Sequence, residues 1–367
     1  MKILYLVTSL ESGGAEFAIP DILTALMKAG QHVDIVACEP RDMMAAQRLE
    51  ARGLPYTVLC KKRRLPPMVL ARLLLHIHKQ RPDVIWTSLS HATRIGQRAG
   101  QLLNIPVISF KHSAAVKKYV YRMRYLSSLW ISDSALVADY LRQDMHIPAD
   151  RIMEWPLYQA TPSTPMAPGW HGQPVIQLGS VGRLHEVKNY DKLIQALSQA
   201  IRLRPDIAHR VHLTILGEGP ERSTLEALVD TLGLKETVSL PGHSDRVDPF
   251  LNGLHVYFQP SRYEGMCLAV HEAMNAGLPV VATPVGELVH CVSPGRTGFM
   301  AEGELIPALV AIIHQIVDHP EQLARLGKAA RHYVQSRYSP HAYQAAANAI
   351  VQRLEQEHSG QLPFSLQ

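Results

Sequence analysis

The feature that most constrains the fold is an alternation, run through twice, of short apolar segments with longer amphipathic ones. In the first half, strand-like runs occupy residues 3–8, 33–37, 84–87 and 107–110. Between the first two, Phe17, Ile22, Leu23, Leu26 and Met27 recur at helical spacing and Gly30 supplies a C-terminal stop. Pro20 should kink that helix or confine its regular part to the C-terminal side. Residues 155–174 break the rhythm with Pro156, Pro162, Pro165, Pro168, Gly169, Gly172 and Pro174, the composition of an interdomain linker. A second series follows at residues 175–179, 211–216, 238–240, 256–259 and 280–283. Its first helix starts after Asn189, a candidate N-cap, with Tyr190, Leu193, Leu197 and Ile201 on one face. Strands alternating with helices imply parallel sheets covered on both faces. The expectation is an α/β chain of two Rossmann-like domains, residues 1–157 and 158–338. A helix over 339–367 would pack back on the first domain, with a tail loosely held beyond Ser359.

A chain of 367 residues suits two domains. No run approaches the ~18–20 apolar residues of a membrane span. The apolar start meets Ser9 and Glu11 without a small-residue cleavage site, so it reads as a first strand and not as a leader. Cys38, Cys60, Cys267 and Cys291 are scattered without zinc spacing and read as reduced thiols of a cytoplasmic protein. Residues 1–155 hold 21 Lys and Arg against 13 Asp and Glu, leaving 16 against 19 for the rest. The basic first half fits an anionic partner or a surface kept soluble by charge.

Three stretches carry candidate chemistry. In the run from Arg262 to Thr283, Glu264 precedes a helix and Glu272 lies eight positions on, with Gly277 as a stop. The amides from Gly265 to Leu268 would offer the helix N-terminus to phosphate or other electron-rich oxygens. Eight helical residues rise about 12 Å, so the two carboxylates suit the ends of an extended ligand; two exposed acids flanking a core helix fit the spacing as well. The second stretch, from Val181 to Asn189, follows the first strand of the second domain. There Arg183 and Lys188 could neutralise a diphosphate, and cations at a helix N-terminus otherwise oppose its dipole. The third, Ser12-Gly13-Gly14-Ala15-Glu16, permits close backbone approach after strand one but lacks the GxGxxG spacing of dinucleotide enzymes.

Taken together, GGAE, GRxxxxK, the Glu-x7-Glu run with EAMxxGLPVVAT, and Gly295-Arg296-Thr297-Gly298-Phe299 resemble a retaining glycosyltransferase of family 4, with the GT-B fold of two Rossmann-like domains facing a central cleft. The resemblance covers about residues 1–338. It implies that Gly14 meets the donor phosphate region and that Arg183 and Lys188 hold the diphosphate. Glu264, Gly265, Met266 and Cys267 would meet the donor sugar, Glu272 the ribose, and His112 would lie near the reacting centre. His91 is a weaker acceptor-side candidate. The implied reaction moves a sugar from a nucleotide-diphosphate sugar to a glycan or lipid-linked acceptor, with no cofactor and no metal. Departing phosphate would help deprotonate the acceptor hydroxyl. Lys188 and Glu264 are both expected to be partly exposed. Other roles on the same fold are a nucleotide-sugar epimerase and a non-catalytic nucleotide-sugar-binding subunit.

The chain departs from the family pattern at Val285-Gly286-Glu287, at Pro156-Leu157-Tyr158-Gln159 and at Phe17. Residues 111–125 interleave Lys117, Lys118, Arg122 and Arg124 with Tyr119, Tyr121 and Tyr125, and residues 61–64 add four more cations. No nucleic-acid module surrounds them. The pattern fits peripheral contact with an anionic membrane, on the inner face of the cytoplasmic membrane, or a solvated helix.

Overall fold

A computed structural model describes residues 1–11, 13–115, 117–244 and 246–360. The expected loose tail from Gln361, Ser12 of the glycine loop and Val116 of the basic stretch lie outside them. The chain divides into two compact units, one built from Met1–Gln159 with the chain from Pro340, the other from Ala160–Ser339.

Among the described residues unit 1 carries seven strands: β1 (Lys2–Val7), β2 (His32–Ala37), β3 (Tyr56–Val58), β4 (Val84–Ser88), β5 (Val107–Lys111), β6 (Leu129–Ser132) and β7 (Ile152–Glu154). They pair in parallel in the order β3-β2-β1-β4-β5-β6-β7. Five-residue β4 and β5 are buried throughout, as a sheet covered on both faces requires. The first helical segment breaks at Ala18, and a second, Ile19–Lys28, begins with Pro20 in its first turn. Proline is tolerated there because the first amides of a helix have no partner anyway. Met27, expected on the buried face, is half exposed.

Unit 2 carries β8 (Ile176–Val181), β9 (Val211–Leu216), β10 (Val238–Gly242), β11 (Val256–Gln259), β12 (Val280–Ala282) and β13 (Gly298–Met300). Their order is β10-β9-β8-β11-β12-β13. The two units are thus parallel-sheet, Rossmann-like α/β domains. Each sheet reverses its winding direction once, between β1 and β4 and between β8 and β11. In open α/β sheets the loops at the carboxyl ends of such a pair form the ligand crevice.

The proline-rich stretch is shared between the units, each part packed within its own. Trp155 is fully buried in unit 1, stacked on Phe110 at 6.0 Å and set edge-on to Trp86 at 5.9 Å. Tyr343 of the helix Pro340–His358 closes on Trp155 at 5.3 Å, which fixes that helix to unit 1. Further along, the Ala160 amide donates to the Tyr338 carbonyl, and Asn275 Nδ2 donates to Thr161 O and Thr164 Oγ1, so that segment belongs to unit 2. Proline frequency shows where regular structure stops, but side-chain burial decides what is mobile.

Candidate functional site

The loops after β8 and β11 are tied together at the reversal point of the second sheet. Asn189 Nδ2 donates to the Pro260 carbonyl at 2.9 Å, and Arg262 Nε donates to Asn189 Oδ1 at 2.6 Å. The Arg262 amide donates to Val187 O at 2.8 Å. Asn189 stands at the expected N-cap position, ahead of the helix that starts at Tyr190, and its carbonyl accepts from the Lys192 and Leu193 amides. It sits in the left-handed region at φ 53° with no side-chain cap bond, its amide being committed to the neighbouring loop. Asparagine tolerates that conformation better than most residues.

Lys188 and Glu264 meet across this seam, Nζ to Oε1 at 2.7 Å. Gln259 Nε2 and Ser261 Oγ donate to the same oxygen at 2.8 and 2.6 Å. Three donors saturate Oε1 and leave it no lone pair for a substrate. Glu264 is 8% exposed, which corrects the expectation of a partly exposed acid; Lys188 is partly exposed and Arg183 is exposed. The carboxylate goes inside because it has an ammonium and two neutral donors to replace water. Burial alone would lower the Lys188 ammonium, but the hydrogen-bonded Glu264 carboxylate opposes it, and the ammonium stays above the usual lysine range.

The helix after Glu264 starts later than its sequence suggests. It spans Leu268–Asn275 with Cys267 as N-cap, so residues 265–267 form the approach to the helix. Met266 and Cys267 are buried, Gly265 and Glu272 half-buried. Burial pushes the Cys267 thiol up to about 12, which keeps it neutral and unsuited to nucleophilic work. His271, one position before Glu272, is fully buried; its Nδ1 lies 2.8 Å from Cys267 O and must donate, since a carbonyl only accepts. Its ring meets Tyr338 edge-on at 4.9 Å.

Burial lowers the His271 imidazole to about 4. The folded state then binds fewer protons than the unfolded chain between about pH 6.5 and 4, so this contribution is complete above 6.5 and lost on acidification. Unit 2 should lose about 2–3 kcal/mol from this residue between pH 7 and pH 4.5. Urea unfolding of wild type and His271→Gln at both pH values measures it; an equal loss in the variant would refute the assignment.

Sequence reasoning missed the residues that hold this site. Gln259 and Ser261 stand immediately before the motif, where alternation alone gave them no role. The turn after β12 supports the loop from below: a Cβ on Gly286, at φ +60°, would sit 2.1 Å from the Glu264 carbonyl oxygen. Thr283 Oγ1 donates to Ser261 O at 2.5 Å. Gly217, after β9, is as tightly placed, 1.9 Å from Gly182 O by the same measure. Gly-Glu-Gly-Pro over residues 217–220 was the available signal.

In unit 1, Gly14 is exposed and opens the four-residue helix Gly14–Phe17, with Gly13 extended before it. Glu16 folds back on Gly13, where any Cβ would meet its carboxyl, and burial raises that carboxyl to about 7. At the end of β4, Ser88 Oγ lies 2.8 Å from His112 Nε2. Asp133 Oδ2 is 3.5 Å from His112 Nδ1, and Ser134 Oγ donates to Asp133 at 3.1 Å. His112 borders a cavity of about 50 Å³ lined also by Leu89, Thr93 and Trp130. His91 is half-buried at the start of the next helix, and burial lowers its pKa. Of the five Lys and Arg in the basic stretch, Lys117, Lys118 and Arg122 are exposed and Lys111 is buried. Arg124 is instead held over the rings of Tyr121 and Tyr125, at 4.0 and 4.2 Å.

Comparison with known proteins gives two family matches. The family model described as Glycosyl transferases group 1 matches residues 172–333, and that described as Glycosyltransferase Family 4 matches residues 12–157. A D-inositol 3-phosphate glycosyltransferase of Streptomyces scabiei is 31% identical over 163 residues, 42% of this chain and 36% of that protein. A GDP-mannose-dependent alpha-(1-6)-phosphatidylinositol monomannoside mannosyltransferase of Mycolicibacterium smegmatis is 31% identical over 162 residues, 42% of this chain and 41% of that protein. The matched stretch thus spans about two fifths of these relatives' length. Among solved structures, Anabaena Alr3699/HepE in complex with UDP superposes with a TM-score of 0.79 at 20% identity, over 97% of this chain and 100% of that one. At that identity the likeness speaks for the fold.

Proposed function

The chain belongs to the glycosyl transferases group 1, with a first half of the Family 4 type, and on that premise we propose that it is a sugar transferase. The donor is a nucleotide-diphosphate sugar and the acceptor a glycan or lipid-linked acceptor, with the donor's anomeric configuration retained. The observation that carries the reading is the buried Lys188–Glu264 pair at the reversal point between β8 and β11. A preformed, paired ammonium, with the exposed Arg183 in the same loop, supplies positive charge where a diphosphate leaving group develops negative charge. Because it is already fixed, little reorganisation is needed at the moment of reaction.

Glu264 contributes in two ways in this reading. Through Oε1 it holds Lys188 in place, and its backbone leads into Gly265, Met266 and Cys267, which line the sugar position. Glu272, half-buried on the following helix, meets the ribose. In unit 1 the same reading assigns Gly14 to the donor phosphate and keeps His112, whose Nε2 lies 2.8 Å from Ser88 Oγ, as the candidate for the reacting centre. Leaving-group charge is met by Arg183 and Lys188, so the reading calls for no cofactor and no metal. Among the described residues no helix is long and apolar enough to cross a membrane, and the exposed Lys117, Lys118 and Arg122 support peripheral contact.

The Anabaena neighbour's complex with UDP makes uridine diphosphate sugars the first donors to try, with guanosine and adenosine diphosphate sugars beside them. A donor should raise the melting temperature of the purified protein, and added acceptor should convert it to nucleoside diphosphate and glycoside. Interconversion of the donor without an acceptor would indicate an epimerase; binding without any product would indicate a non-catalytic subunit. Proton NMR of the isolated glycoside should show the donor's own anomer. The opposite anomer would overturn retention.

A further inference from the structure

We propose that the outer face of the helix Pro66–Gln80, with the basic run that leads into it, docks unit 1 on an anionic lipid bilayer. Docking there would bring the enzyme to a lipid-linked acceptor, and to that extent it rests on the transferase reading above.

Between Glu50 and Asp83 the chain holds eight Lys and Arg and no Asp or Glu. Lys61, Lys62, Arg63 and Arg64 are all exposed. The helix that follows buries Val69, Leu73 and Ile77 against the sheet. Its opposite face should therefore be polar, as on any solvated amphipathic helix. It is not. Leu75 is 73% exposed and Met68 46%, and Leu65, just before the helix, is 71% exposed. Met68, Arg72, Leu75 and Lys79 follow one another at helical spacing, so apolar and basic side chains share one stripe.

A soluble protein gains nothing from exposed leucines interleaved with cations. An anionic bilayer rewards both: each basic residue near the surface contributes about 1 kcal/mol, and apolar side chains enter the boundary of headgroups and acyl chains. A soluble polyanion would use the cations and ignore the leucines, which is why the bilayer is the partner argued for. The stretch around Lys117 is a poorer candidate, because Arg124 is held on Tyr121 and Tyr125 and the helix there is only Lys118–Arg122.

The test is co-sedimentation of the full chain with vesicles of phosphatidylglycerol and phosphatidylcholine in equal parts, and with phosphatidylcholine alone, at low and high salt. Wild type should pellet only with anionic vesicles, and less at high salt. Changing residues 61–64 together to serine should lower partitioning at least ~100-fold. Leu65→Ser with Leu75→Ser should lower it about tenfold while leaving binding to heparin unchanged. Lys117→Ser with Lys118→Ser and Arg122→Ser should have the smaller effect. Failure of wild type to pellet, wild-type pelleting by the first two variants, or abolition by the third alone would overturn the proposal. Donor-induced thermal shift on every variant checks the fold and keeps the two readings apart. Lost docking with a normal donor response leaves the transferase standing, and lost donor response in wild type leaves the docking surface standing.

Discussion

Lys188→Ala should reduce sugar transfer at least ~100-fold, the scale of losing one preorganised charge at the reacting phosphate. It should also cost stability. Glu264 is 8% exposed, and without the ammonium its carboxylate keeps, among the described residues, Gln259 and Ser261 as partners. Removing one member of a buried pair costs roughly 3–5 kcal/mol, and the 21% exposure of the Lys188 side chain places this case lower, at about 2–3 kcal/mol. Lost activity and lost stability would then be confounded, which makes Glu264→Gln the sharper companion. An amide oxygen can accept the same three hydrogen bonds, so the loop should keep its shape while the pair loses its charge. Transfer by this variant should also fall at least ~100-fold. The measurement is kcat/KM beside a urea unfolding curve for each protein. Near-normal turnover by either folded variant would remove the donor site proposed here.

What the sequence made legible was what depends on local pattern. Long apolar runs such as residues 107–110 stood out, and β9 and β11 appear with the bounds expected. The short strands β3, β6, β7 and β13 did not, since three or four residues barely display a period and their pairing partners fix them; β12, equally short, stood out because it continues the apolar run from Leu278. The donor motif was readable as a set of residue types, because charge and glycine are visible in a sequence. Its internal bonding was not. Lys188 and Glu264 are 76 positions apart, and their pairing depends on β8 and β11 being neighbours in the sheet, a tertiary fact. Asn189 takes the N-cap position its sequence context gives, but its side chain makes two contacts with a distant loop in place of a cap bond, which no local pattern could show. The exposed stripe on the helix Pro66–Gln80 was hidden too, since only the packed sheet decides which face of an apolar helix is left outside.

Gly286→Ala should be as damaging to transfer as loss of Lys188, although residue 286 carries no chemistry. Two costs arise together. At φ +60° an alanine is strained, which by itself amounts to about 1 kcal/mol. Its Cβ would also lie 2.1 Å from the Glu264 carbonyl oxygen and 2.8 Å from the carbonyl carbon, both backbone atoms that cannot swing aside. The loop that carries Glu264 would have to shift by on the order of 1 Å, a displacement that can cost about 100-fold in rate. Stability of unit 2 should fall by about 2–4 kcal/mol. Gly295→Ala separates the two causes: it has φ +71° and nothing within 4 Å of the added Cβ, so it carries the strain without the collision. That variant should lose about 1 kcal/mol and transfer sugar near the wild-type rate. If Gly286→Ala matched it in both stability and kcat/KM, the turn over residues 285–287 would not be what holds the donor loop in place.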